Sequence, residues 1–290
     1  MKPDILAPGY ALDSALSFST NCKVEEDSYL KAGTSMAAPV IAGVGALVRE
    51  YFQEGWYPCG SRYCGATLNP SGSLVKATIA NGGQYTKGVQ QGGTKNIIKT
   101  QPVRPYDNNQ GMGEVNLLTT LPLSNENDFN LFVENDAKLV YGESKVYVLS
   151  ISKAGCSSDL SATIAWYDPV GTNGCQKCLV NDIDLLVEKI SPGKVKYYPN
   201  GRDARDDMNT IERVRITNAS PGDRYKITVK ARMLGPQFNE QAFSLAVTGC
   251  FTRVDEEDQT LITKQEVQEV KYELPITYSA NKKQAGKCAN

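Results

Sequence analysis

A serine followed by small and apolar residues is the strongest chemical signal in the sequence. It is Ser35, in the segment GTSMAAP, and the spacing of the residues after it predicts a helix that begins at or just after this serine. The first N–H groups of a helix lack intrahelical partners and carry its positive dipole end, which suits a developing oxyanion. Ser35 is therefore a candidate nucleophile, and its own backbone N–H is a candidate oxyanion donor. The alternative is that Thr34 or Ser35 only caps the helix.

The sequence offers this serine no histidine base. A serine hydroxyl is too weakly acidic to attack a carbonyl at neutral pH without a base, and the 290 residues contain no histidine. Asp4 and Asp13 precede Ser35, but neither has a histidine to orient. We therefore predict that activation of Ser35 depends on a segment outside these residues.

Two helices are predicted around the serine. The first, MAAPVIAGVGALVREYF, contains Pro39, which the first turn of a helix tolerates because an N–H there has no intrahelical partner. Gly43 and Gly45 lower the helix propensity of this segment, so they predict close packing of another element against that face. The second helix, in SLVKATIANGG, is predicted to be ended by the breaker Asn81-Gly82-Gly83.

From about residue 124 the pattern changes to short alternating runs such as KLVYGESKVYVLSIS and RYKITVKARML. Many short strands separated by turn signals are typical of a β-sandwich or a jelly roll. We therefore predict an all-β region at residues 123–254. The remaining residues, 255–290, are charged and polar and are predicted to form a weakly ordered tail.

Charge and hydropathy exclude several classes of protein. The formal net charge of -1 gives no electrostatic case for binding nucleic acid or an anionic membrane. No apolar run approaches the roughly 18 residues that a membrane span needs. In the strand ERVRIT, Glu212, Arg213 and Arg215 are expected on a solvated sheet face. We predict neither a nucleic-acid partner nor a membrane span, and the sequence indicates no oligomeric state.

Close pairs among the eight cysteines indicate disulfide bonds. The spacings C-x4-C, at Cys59 and Cys64, and C-x2-C, at Cys175 and Cys178, suit bridges formed in a secretory compartment. Half a zinc site at the second pair is the alternative, but without histidine zinc would need four thiolates. Disulfides are the favoured prediction.

Other features concern the compartment of the protein. Cys156 and Cys250, the distant cysteines that a zinc site would have to recruit, could equally pair with each other, but the full pairing stays open because eight cysteines allow 105 arrangements. Asn218 begins a glycosylation sequon. The first residues, MKPDILAPGY, lack the layout of a signal peptide. A truncated chain of a secreted protein would reconcile these observations.

The serine segment GTSMAAP, followed by Val-Ile-Ala-Gly, resembles the nucleophile segment of the subtilisin-like serine proteases, or subtilases. Segments at residues 2–9 (KPDILAPG), 77–83 (ATIANGG) and 111–117 (GMGEVNL) resemble that family in the expected order. AWYDP, LVNDIDLLV, MNTIERVRI and GPQFNEQAFSLAVTG resemble the β-barrel or jelly-roll domain of some subtilases. The resemblance implies part of an α/β catalytic domain at residues 1–122, followed by an all-β sandwich or jelly roll.

The resemblance also implies a serine-type endopeptidase that cleaves proteins or peptides, with Ser35 forming the acyl-enzyme. The family's triad order is Asp, His, Ser, and 34 residues before Ser35 leave no room for the first two. We expect a subtilase fragment that is inactive alone, needs no cofactor for its chemistry, and derives from a secreted or secretory-lumen protein. The alternative is a non-catalytic, secreted β-sandwich protein for binding or structure that retains a protease remnant.

Two aspartates in the segment NDID form a candidate metal site. Asp182 and Asp184 share one face of an extended strand, where two carboxylates repel each other unless a cation or hydrogen-bond donors intervene. Calcium prefers oxygen ligands, and the resemblance implies calcium at acidic residues of this segment. Asn181, and Asp206 or Asp207, are candidate additional ligands. The alternative is an acidic turn, or a buried aspartate bonded to backbone N–H groups.

Overall fold

Antiparallel β-sheet dominates the computed structural model, which describes residues 1–14, 31–86, 89–90, 97–98, 105–152, 156, 158–256 and 259–260. Within these residues the helices precede the long strands and are α1 (Thr34–Gln53), α2 (Gly72–Asn81) and α3 (Leu117–Thr120). The helix α2 begins where the Ser71 side chain accepts from Leu74 N at 3.0 Å, a side-chain N-cap. The short strands β1 (Val89–Gln90) and β2 (Ile97–Ile98) pair with each other.

The later strands form two antiparallel sheets. They are β3 (Asn130–Val140), β4 (Ser144–Ile151), β5 (Leu160–Ala165), β6 (Asp182–Ser191), β7 (Val195–Tyr197), β8 (Ile211–Ile216), β9 (Arg224–Met233), β10 (Glu240–Gly249), β11 (Phe251–Glu256) and β12 (Gln259–Thr260). One sheet has the order β3-β10-β5-β8 and the other the order β12-β11-β4-β9-β6-β7. A 3-10 turn at Pro199–Gly201 lies between β7 and β8.

The two sheets pack face to face around an apolar core. Alternation along β9 buries Tyr225, Ile227, Val229 and Ala231, because every second side chain of a strand points to the same face. They belong to one buried cluster with apolar residues of the four-stranded sheet, such as Val214. The all-β region is therefore confirmed as two packed antiparallel sheets, and its jelly-roll topology remains a prediction.

The outer face of the four-stranded sheet is covered by the helices. Val48 of α1 and Leu74 of α2 lie in one buried cluster with Ile211 of β8 and Ala246 of β10. Every residue of β5 is buried, because that strand has the other sheet on one side and α2 on the other. The predicted boundary between residues 122 and 123 therefore falls between two regions that share a core.

The described part of residues 1–122 contains no extended parallel sheet. Its parallel pairing is an isolated bridge between Leu6 and Glu114. The α/β architecture of this region stays a prediction. None of the helices in the described ranges is long and apolar enough to cross a bilayer.

Among the described residues, three disulfides join six cysteines. They are Cys59–Cys64, Cys156–Cys250 and Cys175–Cys178. The disulfide prediction is thereby confirmed for these pairs, and bonding between Cys175 and Cys178 removes the thiolates that a zinc site would use. Cys22 and Cys288 lie outside the described residues.

The predicted tail begins as part of a sheet. β11 continues through Asp255 to Glu256 and pairs with β12. Residues 261–290 lie outside the described residues, so their weak ordering stays a prediction.

Candidate functional site

Ser35 is the second residue of α1 and is exposed. Gly33 occupies the N-cap position, with no side-chain cap, so the alternative that Thr34 or Ser35 only caps this helix is wrong. Met36 N and Ala37 N donate to Gly33 O at 3.0 and 3.3 Å, whereas no described residue accepts from Ser35 N. An N–H without an internal acceptor beside an exposed hydroxyl can bind the oxyanion of a tetrahedral intermediate.

Pro39 lies in the second turn of α1 because the helix begins at Thr34, so its predicted first-turn position is wrong. Proline has no N–H to donate to the carbonyl of residue i−4, which here is Ser35. The backbone of Ser35 therefore has both its N–H and its carbonyl outside the helical hydrogen-bond ladder.

The other family-like segments hold the loop that leads to the serine. Leu6 N donates to Gly113 O and Val115 N donates to Leu6 O, each at 2.8 Å. Glu114 and Gln84 exchange two backbone hydrogen bonds, of 2.6 and 2.8 Å. Three segments that are distant in the sequence thus meet in one backbone network, and Gly33 N donates to Gly9 O at its edge, at 2.7 Å.

Asp4 has a structural role in this network. Its Oδ2 lies 2.7 Å from Lys2 Nζ and 3.3 Å from Lys76 Nζ. Partial burial raises the pKa of Asp4, but the Lys2 hydrogen bond and the Lys76 charge outweigh it and hold that pKa below its ordinary value. The carboxylate is therefore paired with lysines, as a structural anion would be.

The two aspartates of the candidate metal site are buried and paired with arginines. Asp182 Oδ2 accepts from Arg205 Nη1, and Asp184 Oδ2 accepts from Arg232 Nε, both at 2.8 Å. Arg205 Nη1 also lies 4.0 Å from Asp184 Oδ1, so one guanidinium stands between the two carboxylates. Burial and the charge of Asp184 raise the pKa of Asp182, against the effect of Arg205.

The additional ligands predicted for calcium have other partners. Asn181 donates to Gln241 Oε1 at 2.7 Å and accepts from Gly235 N at 2.8 Å. Asp206 accepts from Asn209 Nδ2 at 2.6 Å, with further donors from Asn200 and Met208. Asp207 pairs with Lys177 at 2.8 Å.

The acidic cluster therefore meets only some of the requirements of a calcium site. Asp182 Oδ1 and Asp184 Oδ1 are buried without hydrogen-bond partners among the described residues, which favours a further cation or donor. Arg205 already supplies a positive charge there, and the described residues contain no group of three or more His, Cys, Asp or Glu arranged for a metal. Calcium at Asp182 and Asp184 stays a prediction.

Glu212 is a buried carboxyl group that the sequence analysis placed on a solvated face. This expectation is wrong, since Glu212 is 0% exposed and its Oε2 accepts from Leu185 N of the opposing sheet at 2.7 Å. Its Oε1 has no partner among the described residues. Burial raises the pKa of Glu212 well above its ordinary value, and the charges of Asp184, Asp206 and Asp182 add to this effect.

Arg213 is also buried, against the same expectation, at 1% exposure. Its Nη1 donates to Gly83 O and Met112 O, each at 2.9 Å, and its Nε donates to Ser161 Oγ at 3.0 Å. Burial lowers the pKa of this guanidinium. Arg213 thus links β8 to two of the segments that support the serine loop.

Comparison with known proteins agrees with this arrangement of segments. A sequence model described as the subtilase family matches residues 1–111. These residues belong to the subtilase family. The match includes the Ser35 segment and most of the backbone network that supports it.

Several curated proteins extend the similarity. The chain is 26% identical over 247 residues to the serine protease/ABC transporter B family protein tagA of Dictyostelium discoideum, covering 77% of this chain and 13% of that protein. It is 25% identical over 285 residues to tagB of the same organism, covering 82% and 15%. It is 33% identical over 119 residues to the subtilisin-like protease SBT2.5 of Arabidopsis thaliana, covering 40% and 13%.

The alignments cover most of this chain in the Dictyostelium matches but only a small part of each relative. The chain spans about one seventh of the length of these relatives, at 13% to 15%. Because 77% of the chain is more than residues 1–111 can supply, the similarity to tagA includes part of the β-sheet region.

Proposed function

We propose that this chain supplies the nucleophile of a serine endopeptidase of the subtilase type, with Ser35 as the residue that forms the acyl-enzyme. The observation that carries the proposal is the placement of Ser35 in a subtilase segment, exposed at the start of α1, with no acceptor for its N–H among the described residues. Proteins or peptides would be the substrates, and the chemistry needs no cofactor.

The proposed reaction uses the hydroxyl and the backbone N–H of Ser35, together with one histidine supplied by another segment. The histidine removes the proton of Ser35 Oγ as that oxygen attacks the scissile carbonyl carbon. Ser35 N–H donates to the oxygen that becomes negative. The base then gives its proton to the leaving amine, and water hydrolyses the acyl-enzyme by the same steps. Because the 290 residues contain no histidine, we propose that they are inactive alone.

A fluorophosphonate probe tests this proposal, because it labels only activated serines. The 290-residue chain is compared alone and after joining or mixing with a subtilase segment that carries the catalytic aspartate and histidine. We expect labelling at Ser35 only with that segment, and its loss in Ser35→Ala. Thr34→Ser is the matched control, since it changes the neighbouring hydroxyl and should leave labelling intact.

Absence of labelling in the joined protein would contradict the enzymatic proposal if circular dichroism shows it folded. That result would favour a non-catalytic binding or structural protein instead. The disulfides between described cysteines support a secreted or secretory-lumen setting, because such bonds persist in oxidising compartments.

The second part of the proposal is structural calcium at Asp182 and Asp184, supported by their two buried Oδ1 atoms, which have no hydrogen-bond partner in the described part of the chain. Binding there would require Arg205 to move, because its guanidinium now stands between the carboxylates. Calorimetric titration of the chain with Ca²⁺ tests it.

A further inference from the structure

The bond between Cys175 and Cys178 differs from the other disulfides in its surroundings. It closes a ring with a sequence separation of 3, whereas Cys156–Cys250 has a separation of 94. Cys178 is exposed and Cys175 half-buried, while Cys250 is 5% exposed and packs in the core between the sheets. A ring this short restricts the unfolded chain little, so the bond contributes little to the free energy of unfolding.

The loop that carries the bond has few backbone hydrogen bonds. Between residues 169 and 178 the described chain shows one backbone hydrogen bond, from Cys175 N to Thr172 O at 3.2 Å. Val170 is 97% exposed. Cys59–Cys64, by comparison, joins half-buried residues, and its loop is hydrogen-bonded from Gly60 N to Trp56 O and from Gly65 N to Gly55 O.

The base of the loop is closed without the disulfide. Asp168 accepts from Val180 N at 2.8 Å and from Asn181 N at 2.7 Å, which joins the two ends of the loop. Trp166 Nε1 donates to Asn181 O at 3.0 Å beside them. Opening the bond between Cys175 and Cys178 would therefore leave the start of β6 in place.

A cation lies between the two cysteines in the sequence. Lys177 is on this loop, and its Nζ is 2.8 Å from Asp207 Oδ2. A nearby positive charge stabilises thiolates, and a stabilised thiolate is a better leaving group in disulfide exchange. Cys178 is exposed to external thiols, and Lys177 places a positive charge on the same short loop.

We propose that Cys175–Cys178 is a site of thiol–disulfide exchange, with small thiols of the glutathione class as its reaction partners. The thiolate of one small-molecule thiol attacks Sγ of the exposed residue Cys178 and forms a mixed disulfide with it. The S–S bond to Cys175 breaks, and Cys175 leaves as a thiolate that takes up a proton. A second thiolate attacks the external sulfur of the mixed disulfide, which releases an oxidised small-molecule disulfide and the Cys178 thiolate. Two electrons pass from two thiols to the protein, which ends as a dithiol.

Equilibration of the intact 290-residue chain in glutathione buffers tests the proposal. Free thiols are trapped by alkylation, and peptide mass spectrometry measures each disulfide separately while circular dichroism follows the fold. We expect Cys175–Cys178 to be half-reduced at a [GSH]²/[GSSG] ratio at least about tenfold below that for Cys156–Cys250. We also expect it to open before Cys59–Cys64, with the circular dichroism spectrum unchanged.

The proposal is overturned if Cys175–Cys178 needs as reducing a buffer as Cys156–Cys250, or opens only when the protein unfolds. Single-cysteine variants test the attacked atom through their rates of reaction with oxidised glutathione. Cys175→Ser, which leaves Cys178, should react faster than Cys178→Ser, and the reverse order would contradict attack at Cys178. Lys177→Gln should slow exchange, whereas Lys194→Gln, an exposed lysine on another turn, should not.

Discussion

A backbone hydrogen bond joins Gly9 to Gly33, which lies two residues before the candidate nucleophile Ser35. Gly33 N donates to Gly9 O at 2.7 Å, and a Cβ on Gly9 would lie 2.9 Å from Gly33 O and 3.2 Å from the Cβ of Ala37. Gly33 itself has φ 150°, where L side chains are strained. The path of the chain into Ser35 therefore depends on two glycines that are 24 residues apart.

Replacement of Gly9 by alanine should displace the serine loop. The new methyl group would press on a backbone carbonyl, which cannot rotate away as a flexible side chain can, so we expect a loss of about 1–3 kcal/mol in unfolding free energy. Fluorophosphonate labelling of Ser35 in the joined protein should fall as well. Gly43→Ala is the matched control, because a Cβ there meets nothing within 4 Å. It should stabilise α1 by about 0.5–1 kcal/mol, and equal behaviour of the two variants would contradict the argument.

Arg213→Met should loosen the contact between the helices and the four-stranded sheet. The variant leaves Met112 O without its buried donor and Gly83 O with only the longer hydrogen bond from Arg215 Nη1, at 3.3 Å, which should cost about 1–3 kcal/mol in urea unfolding. Hydrogen–deuterium exchange should become faster in the peptides that contain Gly83 and Met112. Arg224→Met changes an exposed arginine on β9 and should leave both measurements unchanged. Unaltered exchange in Arg213→Met would show that other contacts hold this interface.

Sequence patterns predicted the backbone elements better than the buried charges. The segment KAGTSMAAP located the start of α1 within one residue, because the helical spacing of the apolar residues is local information. The helix α2 packs beside Gly45, but a Cβ there would meet Val75 Cγ1 at 3.8 Å, an ordinary contact that alanine could make. A Cβ on Gly43 would meet nothing within 4 Å, so the prediction of close packing is wrong at Gly43.

The buried charges of β8 show what the sequence could and could not reveal. Glu212 is two residues before Val214, and residues two apart share one face of a strand, so a period of 2 could have predicted its carboxyl on the core side. The sequence contains no comparable signal for Arg213, since its acceptors are backbone carbonyls about 100 or more residues away. The same holds for Arg205, whose pairing with Asp182 depends on the route of the loop after β7.

Glu212→Gln should make the stability of the protein less dependent on pH. The folded pKa of Glu212 is raised, so the wild-type chain has this group neutral in both states at low pH and loses stability as the pH rises toward the folded pKa. Glutamine keeps an oxygen for Leu185 N and cannot ionise. We expect equal stabilities near pH 4 and an advantage of at least about 1 kcal/mol for the variant at pH 7, by urea unfolding.

Glu188 supplies the control with the opposite sign. A hydrogen bond from Lys226, together with nearby lysine charges, lowers the pKa of Glu188, so its stabilising effect is present at neutral pH and is lost as the pH falls. Glu188→Gln should therefore be slightly less stable than the wild type at pH 7 and equal to it at low pH. If Glu212→Gln instead destabilised the chain at pH 7, an ionised Glu212 with a cation partner would be indicated.

Arg205→Gln should increase the affinity of the acidic cluster for Ca²⁺. The Arg205 guanidinium lies 2.8 Å from Asp182 Oδ2 and 4.0 Å from Asp184 Oδ1. Its charge repels an incoming cation, and its hydrogen bond engages an Asp182 oxygen that calcium would otherwise bind. Removing that charge should raise the affinity measured by calorimetry at least about tenfold. Arg224→Gln should not change it. Absence of binding heat in the wild type and in Arg205→Gln would exclude calcium at this cluster.

Leu47 and Val48, adjacent in α1, should lose very different amounts of stability on substitution. Leu47 is 49% exposed, whereas Val48 is 0% exposed and packs against α2 and the four-stranded sheet. Val48→Ala should cost about 2 kcal/mol in unfolding free energy, because it leaves a cavity in that core. Leu47→Gln should cost less than about 0.5 kcal/mol in the 290-residue chain, since its side chain buries little apolar area there. If this exposed face of α1 packs against the segment that brings the histidine, Leu47→Gln should also lower labelling of Ser35 in the joined protein. Unchanged labelling would show that the segment docks elsewhere.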